Sequence, residues 1–395
     1  MGPLNGIKVV ELGGIGPGPM CAMLLADLGA TVLRIDRTAD ADVGVKRALR
    51  HSLVLRNREA VSLDLKQPAA IDLVLRLVEG ADALIDPFRP GVIERLGLGP
   101  AVCQARNPRL VIGRMTGWGQ TGPLAQAAGH DLNYLALSGL LHAIGRAGQP
   151  PTPPLNLVGD YGGGALYLAL GLVSAMLEAR RSAQGQVVDA AMFEGAASLG
   201  TLFYGSHAAG EWDSRRGHNY LDSGAPYYDV YACADGKWLA LAAIEDRFYA
   251  ALVTGLGLDA ASLPDRKQRE HWAALRAVLA RRIGERARDA WATVFEGTDA
   301  CVSPVLDFDE APHHPHAVAR GSFIEVDGVQ QPAPAPRFSR SSLGVPKAPQ
   351  SPRNGQVQAS LAAWLPAAEI SSWQARGVLT PLPPVASASA TSPTR

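Results

Sequence analysis

Residues 7–37 read IKVVELGGIGPGPMCAMLLADLGATVLRIDR, and this stretch decides the fold. Ile7 to Leu12 form an apolar run interrupted only by Lys8 and Glu11, the pattern of a strand buried on both faces. Gly13 to Pro19 make a turn, and Met20 to Leu28 read as a helix closed by Gly29. Thr31 to Ile35 are a second strand, ending at Asp36-Arg37. Strand, helix and strand in about thirty residues are a βαβ unit, which implies a parallel sheet with a right-handed crossover.

Working outward, the same rhythm continues. A short strand is expected over 60–65. A helix opens at Pro68, with Ile71, Val74, Leu75 and Val78 on one face. Strands follow near 83–85 and 110–114, then helices over 132–143 and 165–180, a strand over 186–190 and a helix over 191–204. Alternating β and α over some 200 residues is the pattern of a doubly wound sheet. Residues 205–226, rich in Gly, Ser and Arg, break it and read as a linker. Residues 227–233 and 238–244 form a hairpin around Asp235-Gly236. Helices near 268–283 and 285–296 and a strand near 302–306 complete a small α+β domain. The expected division is a large α/β domain over 1–204, the linker 205–226, and the small domain 227–325. A return linker and a C-terminal helix packing on the large domain occupy 326–379, and 380–395 form a disordered tail.

Composition narrows the function. The 395 residues carry 37 Lys+Arg and 37 Asp+Glu, so no overall field favours nucleic acid or an anionic membrane, and an anionic ligand must be held by local basic residues. The four cysteines are widely spaced with no CxxC, which suggests neither a zinc site nor a disulfide framework. A reducing, cytoplasmic compartment is the expectation. No signal peptide is visible, and the longest apolar stretch, 165–177, falls short of the ~20 residues a membrane span needs. The glycine turn fails as a dinucleotide fingerprint. Pro19 stands where a third Gly belongs, and Pro17 and Pro19 lack donors a pyrophosphate would use.

Two polar stretches carry the candidate chemistry: Gly129-His130-Asp131-Leu132-Asn133-Tyr134, and Asn156-Leu157-Val158-Gly159-Asp160-Tyr161 followed by three glycines. Each sets an ionisable residue beside glycine ahead of an apolar helical run. A helix starting there aims free N–H groups and a positive dipole end at its surroundings. A histidine and a carboxylate so placed can act as two proton-transfer groups around an anionic intermediate. Asp131 and Asp160 also fit simple N-cap roles, and His130 fits a hydrogen-bonded loop histidine. Gly162 to Gly164 start a helix poorly, a cost that makes sense if backbone must approach a ligand closely. Arg89 and Arg95 follow a strand's C-terminal end, where ligands of open α/β sheets bind; solvation or pairing with Glu94 is the alternative.

With these residues in view, the sequence resembles the family III CoA-transferase superfamily and, within it, the α-methylacyl-CoA racemase branch. The resemblance runs to about residue 379. It rests on Gly6 to Leu12, Ala26-Asp27-Leu28-Gly29-Ala30, Arg89-Pro90-Gly91, Thr116-Gly117-Trp118-Gly119-Gln120-Thr121-Gly122-Pro123, Gly129-His130-Asp131 and Gly224-Ala225-Pro226-Tyr227-Tyr228. It implies an interlocked homodimer, an acyl-CoA thioester as substrate, and no metal or redox cofactor. It assigns His130 and Asp160 as the proton-transfer groups, Glu245 as the carboxylate orienting the histidine, and the Asp131 N–H as a donor to the thioester oxygen. CoA is expected near Arg37, Leu63, Lys66, Arg89, Arg95 and Tyr134. The implied reaction interconverts the 2R and 2S forms of 2-methylacyl-CoA through an enolate, in lipid metabolism. The alternative is a CoA transferase of the same superfamily, with Asp160 as nucleophile. His130 argues against it, since transferases of this group generally lack a histidine there.

Overall fold

The computed structural model describes residues 1–39, 47–353 and 355–382. The expected tail therefore lies, from residue 383 on, outside the described residues. The chain forms two compact units. The first comprises Met1–Tyr134, Asn156–Ser198 and the chain from Gly321 onward; the second comprises Leu135–Leu155 and Leu199–Arg320. This differs from the expected division. Residues 135–155 group with the second unit, the break comes at 198 rather than 204, and 321–325 belong to the first. Part of the expected linker is helical, since a helix runs Thr201–Ala208.

The first unit is built on six parallel strands: β1 (Lys8–Leu12), β2 (Thr31–Asp36), β3 (Glu59–Ser62), β4 (Ala83–Asp86), β5 (Val111–Thr116) and β6 (Val187–Ala191). Their order is β3-β2-β1-β4-β5-β6, with pairings such as Val10 opposite Leu33 and Leu84. The order reverses between β1 and β4, which opens a crevice beyond the strands' carboxyl ends. One face of the sheet packs Val10, Leu12, Leu33 and Leu84 against Leu73, Val74 and Leu77 of helix Pro68–Val78. The C-terminal residues Val357, Leu361, Ile370 and Trp373 join the same core. The other face packs Val9, Val32 and Ile85 against helix Pro17–Asp27 and against Leu168, Leu172 and Met176 of helix Tyr167–Ser182.

Helix Pro17–Asp27 starts inside the expected turn. Proline at the first helical positions loses no intrahelical bond, so Pro17 and Pro19 begin a helix rather than prevent one. Helix 132–143 is broken into Asp131–Leu137 and Leu140–Ala143 at Gly139, whose φ of 78° is left-handed. The apolar run read as a helix from 165 is longer. Wide, π-type turns over Leu157–Leu166 lead directly into Tyr167–Ser182. Leu157–Ser182 is the one helical run among the described residues long and apolar enough to cross a membrane by length and composition. Its inward residues are core residues of the sheet.

Glu11 and Arg58, both fully buried, pair at 2.6 Å across this core. Burial pushes the Glu11 carboxyl above its usual range against the pull of Arg58 and Arg34. Removing one member of such a pair costs about 3–5 kcal/mol.

In the second unit, β7 (Tyr228–Ala232) and β8 (Trp238–Ala242) form the expected antiparallel hairpin, and β9 (Val302–Pro304) pairs with β8. Its core gathers Leu239, Leu241, Leu252, Leu275, Leu279 and Trp291. A helix not expected from the sequence, Asp246–Gly255, follows β8. The strands β10 (Phe323–Val326) and β11 (Val329–Pro332) return the chain to the first unit as a hairpin.

Candidate active site

Asp160 lies within the wide turns that begin at Leu157, and three neighbours define its setting. Asn156 Nδ2 donates to Asp160 Oδ2 at 3.2 Å. The Asp160 backbone N–H donates to Asp131 Oδ1 at 2.7 Å. Gly16, at the end of the loop leaving β1, stands so close that a Cβ there would lie 3.3 Å from Asp160 Oδ2. Asp160 therefore sits at the reversal of strand order. Burial raises its carboxyl above the ordinary range; the Asn156 hydrogen bond lowers it, the Asp131 charge raises it, and His130 lowers it. A half-buried carboxyl with a raised pKa, electrostatically coupled to an imidazole, suits proton transfer in either direction.

His130 is exposed, at the tip of the loop that leaves β5. Its backbone is tied down, while its ring makes no hydrogen bond among the described residues. The His130 N–H donates to Asn133 Oδ1 at 3.0 Å, and its carbonyl accepts from the Asn133 N–H at 2.8 Å. Tyr134 braces the loop from below. Its hydroxyl donates to the Gly129 carbonyl at 2.5 Å, and its ring meets Trp118 edge-on at 4.8 Å. A Cβ at Gly129 would fall 2.8 Å from that ring, and one at Gly117 closer still, so both positions need glycine. Tyr134 is only 4 % exposed. Burial, with the Asp160 charge, pushes its phenol up to about 12. Its expected contact with CoA is thus corrected: the side chain is occupied in supporting the histidine loop.

Asp131 has a task the sequence did not suggest. The expectation concerns its N–H, and the structure adds a role for its carboxylate. Helix Asp131–Leu137 begins at Asp131, and its buried side chain accepts the N–H of Asp160. It is an N-cap, but for the helical segment thirty residues further along. The glycines of that segment serve this closeness. A Cβ at Gly159 would lie 2.6 Å from Asp131 Oδ1, and one at Gly163 2.5 Å from the Ala196 nitrogen. At Gly159 and Gly163 close protein packing alone already requires glycine.

Four expected CoA contacts lie beyond the carboxyl ends of strands of the sheet: Arg37 after β2, Lys66 after β3, and Arg89 and Arg95 after β4. All four are exposed. Arg114, rather than Arg95, takes Glu94, at 2.8 Å. Leu63 is the exception, 1 % exposed in the core, so its side chain offers a ligand nothing. Glu245 belongs to the second unit, exposed at the start of helix Asp246–Gly255. Sequence reasoning gave Asn156 no role, although its i, i+4 spacing to Asp160 on a helical path was a usable signal.

The chain matches the family model for CoA-transferase family III over residues 4–357. It is 44 % identical over 355 residues to the alpha-methylacyl-CoA racemase of Mus musculus, covering 89 % of this chain and 91 % of that one. Its identity to the Homo sapiens alpha-methylacyl-CoA racemase is 46 % over 335 residues, 84 % and 86 % of the two chains. Among solved structures it is similar to a CAIB/BAIF family protein from Brucella suis, with TM-score 0.76 and 27 % identity over 92 % of this chain and 99 % of that one.

Proposed function

The chain belongs to CoA-transferase family III, and from that premise we propose that it is an α-methylacyl-CoA racemase, with His130 and Asp160 as its two proton-handling groups. The observation that carries this reading is the coupled pair itself: an imidazole with no hydrogen bond among the described residues and a half-buried carboxyl whose pKa burial raises, on adjoining segments of one unit. The α-hydrogen of a thioester is weakly acidic. One group removes it, a planar enolate forms, and the other group returns a proton to the opposite face, inverting the centre. The Asp131 N–H, at the start of helix Asp131–Leu137, suits the negative charge gathering on the thioester oxygen. Oxidation state does not change, so the step needs no redox cofactor. We propose further that the exposed cations Arg37, Lys66, Arg89 and Arg95 receive the CoA phosphates. The working form would be an interlocked homodimer in which the partner subunit's Glu245 orients His130. Four unpaired cysteines suit a reducing compartment, and cell fractionation tests the proposed cytoplasmic location.

The test uses each enantiomer of a 2-methylacyl-CoA in deuterium oxide. His130→Ala and Asp160→Ala should each slow racemisation by about 10²–10⁴. Each should retain α-proton exchange for one enantiomer only, and not the same one. An aspartyl adduct trapped on Asp160, with no deuterium entering the substrate, would replace this reading with CoA transfer.

A further inference from the structure

Beyond Ala242 the chain turns through residues 243–245 into helix Asp246–Gly255, and two adjacent carboxylates stand at that turn. They are treated differently. Asp246 is paired with Arg266 and with Lys267 Nζ at 3.2 Å. The Glu245 carboxylate, among the described residues, makes no hydrogen bond or ion pair.

Arg266 produces this asymmetry. Its Nη1 donates to the Ala243 carbonyl at 3.1 Å and to the Ile244 carbonyl at 2.6 Å, and its Nη2 donates to Asp246. It therefore grips residues 243, 244 and 246 and skips 245. The guanidinium is itself held. Its central carbon lies 4.9 Å from the Tyr227 ring centroid and 4.6 Å from that of Tyr249. Trp272 Nε1 donates to the Arg266 carbonyl at 2.8 Å, and the Trp272 ring meets Tyr227 edge-on. The Arg266 side chain is only 10 % exposed. A planar fork stacked on aromatic rings loses little further freedom on making several hydrogen bonds, which an ammonium on a flexible stem cannot imitate.

We propose that Arg266 is a positioning residue for Glu245: it fixes the backbone on either side of Glu245 and occupies the competing carboxylate of Asp246, leaving Glu245 free to meet the imidazole it orients. This rests on the reading that Glu245 orients the catalytic imidazole. The experiment is a double-mutant cycle on the full chain, with Glu245→Gln, Arg266→Met, the double variant, and Arg266→Lys as a gentler change. The readouts are kcat and KM for deuterium exchange, with the melting temperature alongside. Glu245→Gln should lower kcat about tenfold or more. Arg266→Met should lower kcat by about the same order with KM nearly unchanged, yet have little further effect when Glu245 is already Gln. Arg266→Lys should recover only part of the loss and serves in place of Met should that variant fail to fold. An equal loss from Arg266 variants in both backgrounds would show a merely structural role and overturn the proposal alone. A wild-type kcat in Glu245→Gln would overturn the reading of Glu245 and this proposal with it.

Discussion

Replacing Asp131 by Ala removes the acceptor for the Asp160 N–H, whereas Asn keeps an acceptor and removes only the charge. The two variants should therefore separate cap from electrostatics. Asp131→Ala should lose about 0.5–2 kcal/mol of stability, the usual value of a helix cap, together with most of the exchange activity. Asp131→Asn should stay close to wild type in stability. Because the Asp131 charge raises the Asp160 carboxyl, its loss should move the Asp160 limb of the pH–rate profile to lower pH. An unmoved limb, with full activity, would deny the coupling. At this scale residue type beside glycine singled out His130 and Asp160, and the structure sets the two segments that carry them side by side. The tasks of Asp131 and Tyr134 were not legible: each acts through a contact in space, the Asp131 one across 29 positions of sequence. Leu63 misled because its position beside the sheet edge was carried over without knowing which way its side chain points.

Among the elements, the segment Leu157–Leu166 is the most exposed to a small change. Gly163 and Gly195 bring it against helix Met192–Leu199 at a separation no Cβ tolerates. Gly163→Ala should cost about 1–3 kcal/mol by overpacking and should lower kcat more than it raises KM, since the displaced segment carries Asp160. Calorimetry and steady-state exchange on this one variant check both statements; an unperturbed melting temperature would mean the two segments can part freely. The strands were readable because buried parallel strands are continuous apolar runs bounded by glycine and proline. The wide helical turns were not, since their widening follows from packing between glycines and leaves no periodicity in the sequence. Helix Asp246–Gly255 was passed over for a similar reason. Its first turn, Asp246-Arg247-Phe248-Tyr249, is polar and aromatic, and only Leu252 and Val253 are fully buried.

For the molecule as a whole, the surface carries one feature that the proposed homodimer would use. Leu166, Leu170 and Leu177 point outward along one face of the long helix, each more than half exposed. A row of large exposed apolar side chains suits burial against a second copy of the chain, as the proposed homodimer requires. Light scattering at micromolar concentration should give twice the 41.5 kDa of one chain, and an active species of single-chain mass would refute the interlocked dimer. The cap from Asp131 onto the Asp160 segment has a consequence for anyone recombining this protein with its relatives. The loop at 129–134 and the segment at 156–164 hold one another in place, so neither can be exchanged alone without stranding a buried carboxylate or the Asp160 N–H. They are a single cassette written in two pieces, and a chimera breakpoint anywhere between them divides a part that must be inherited whole.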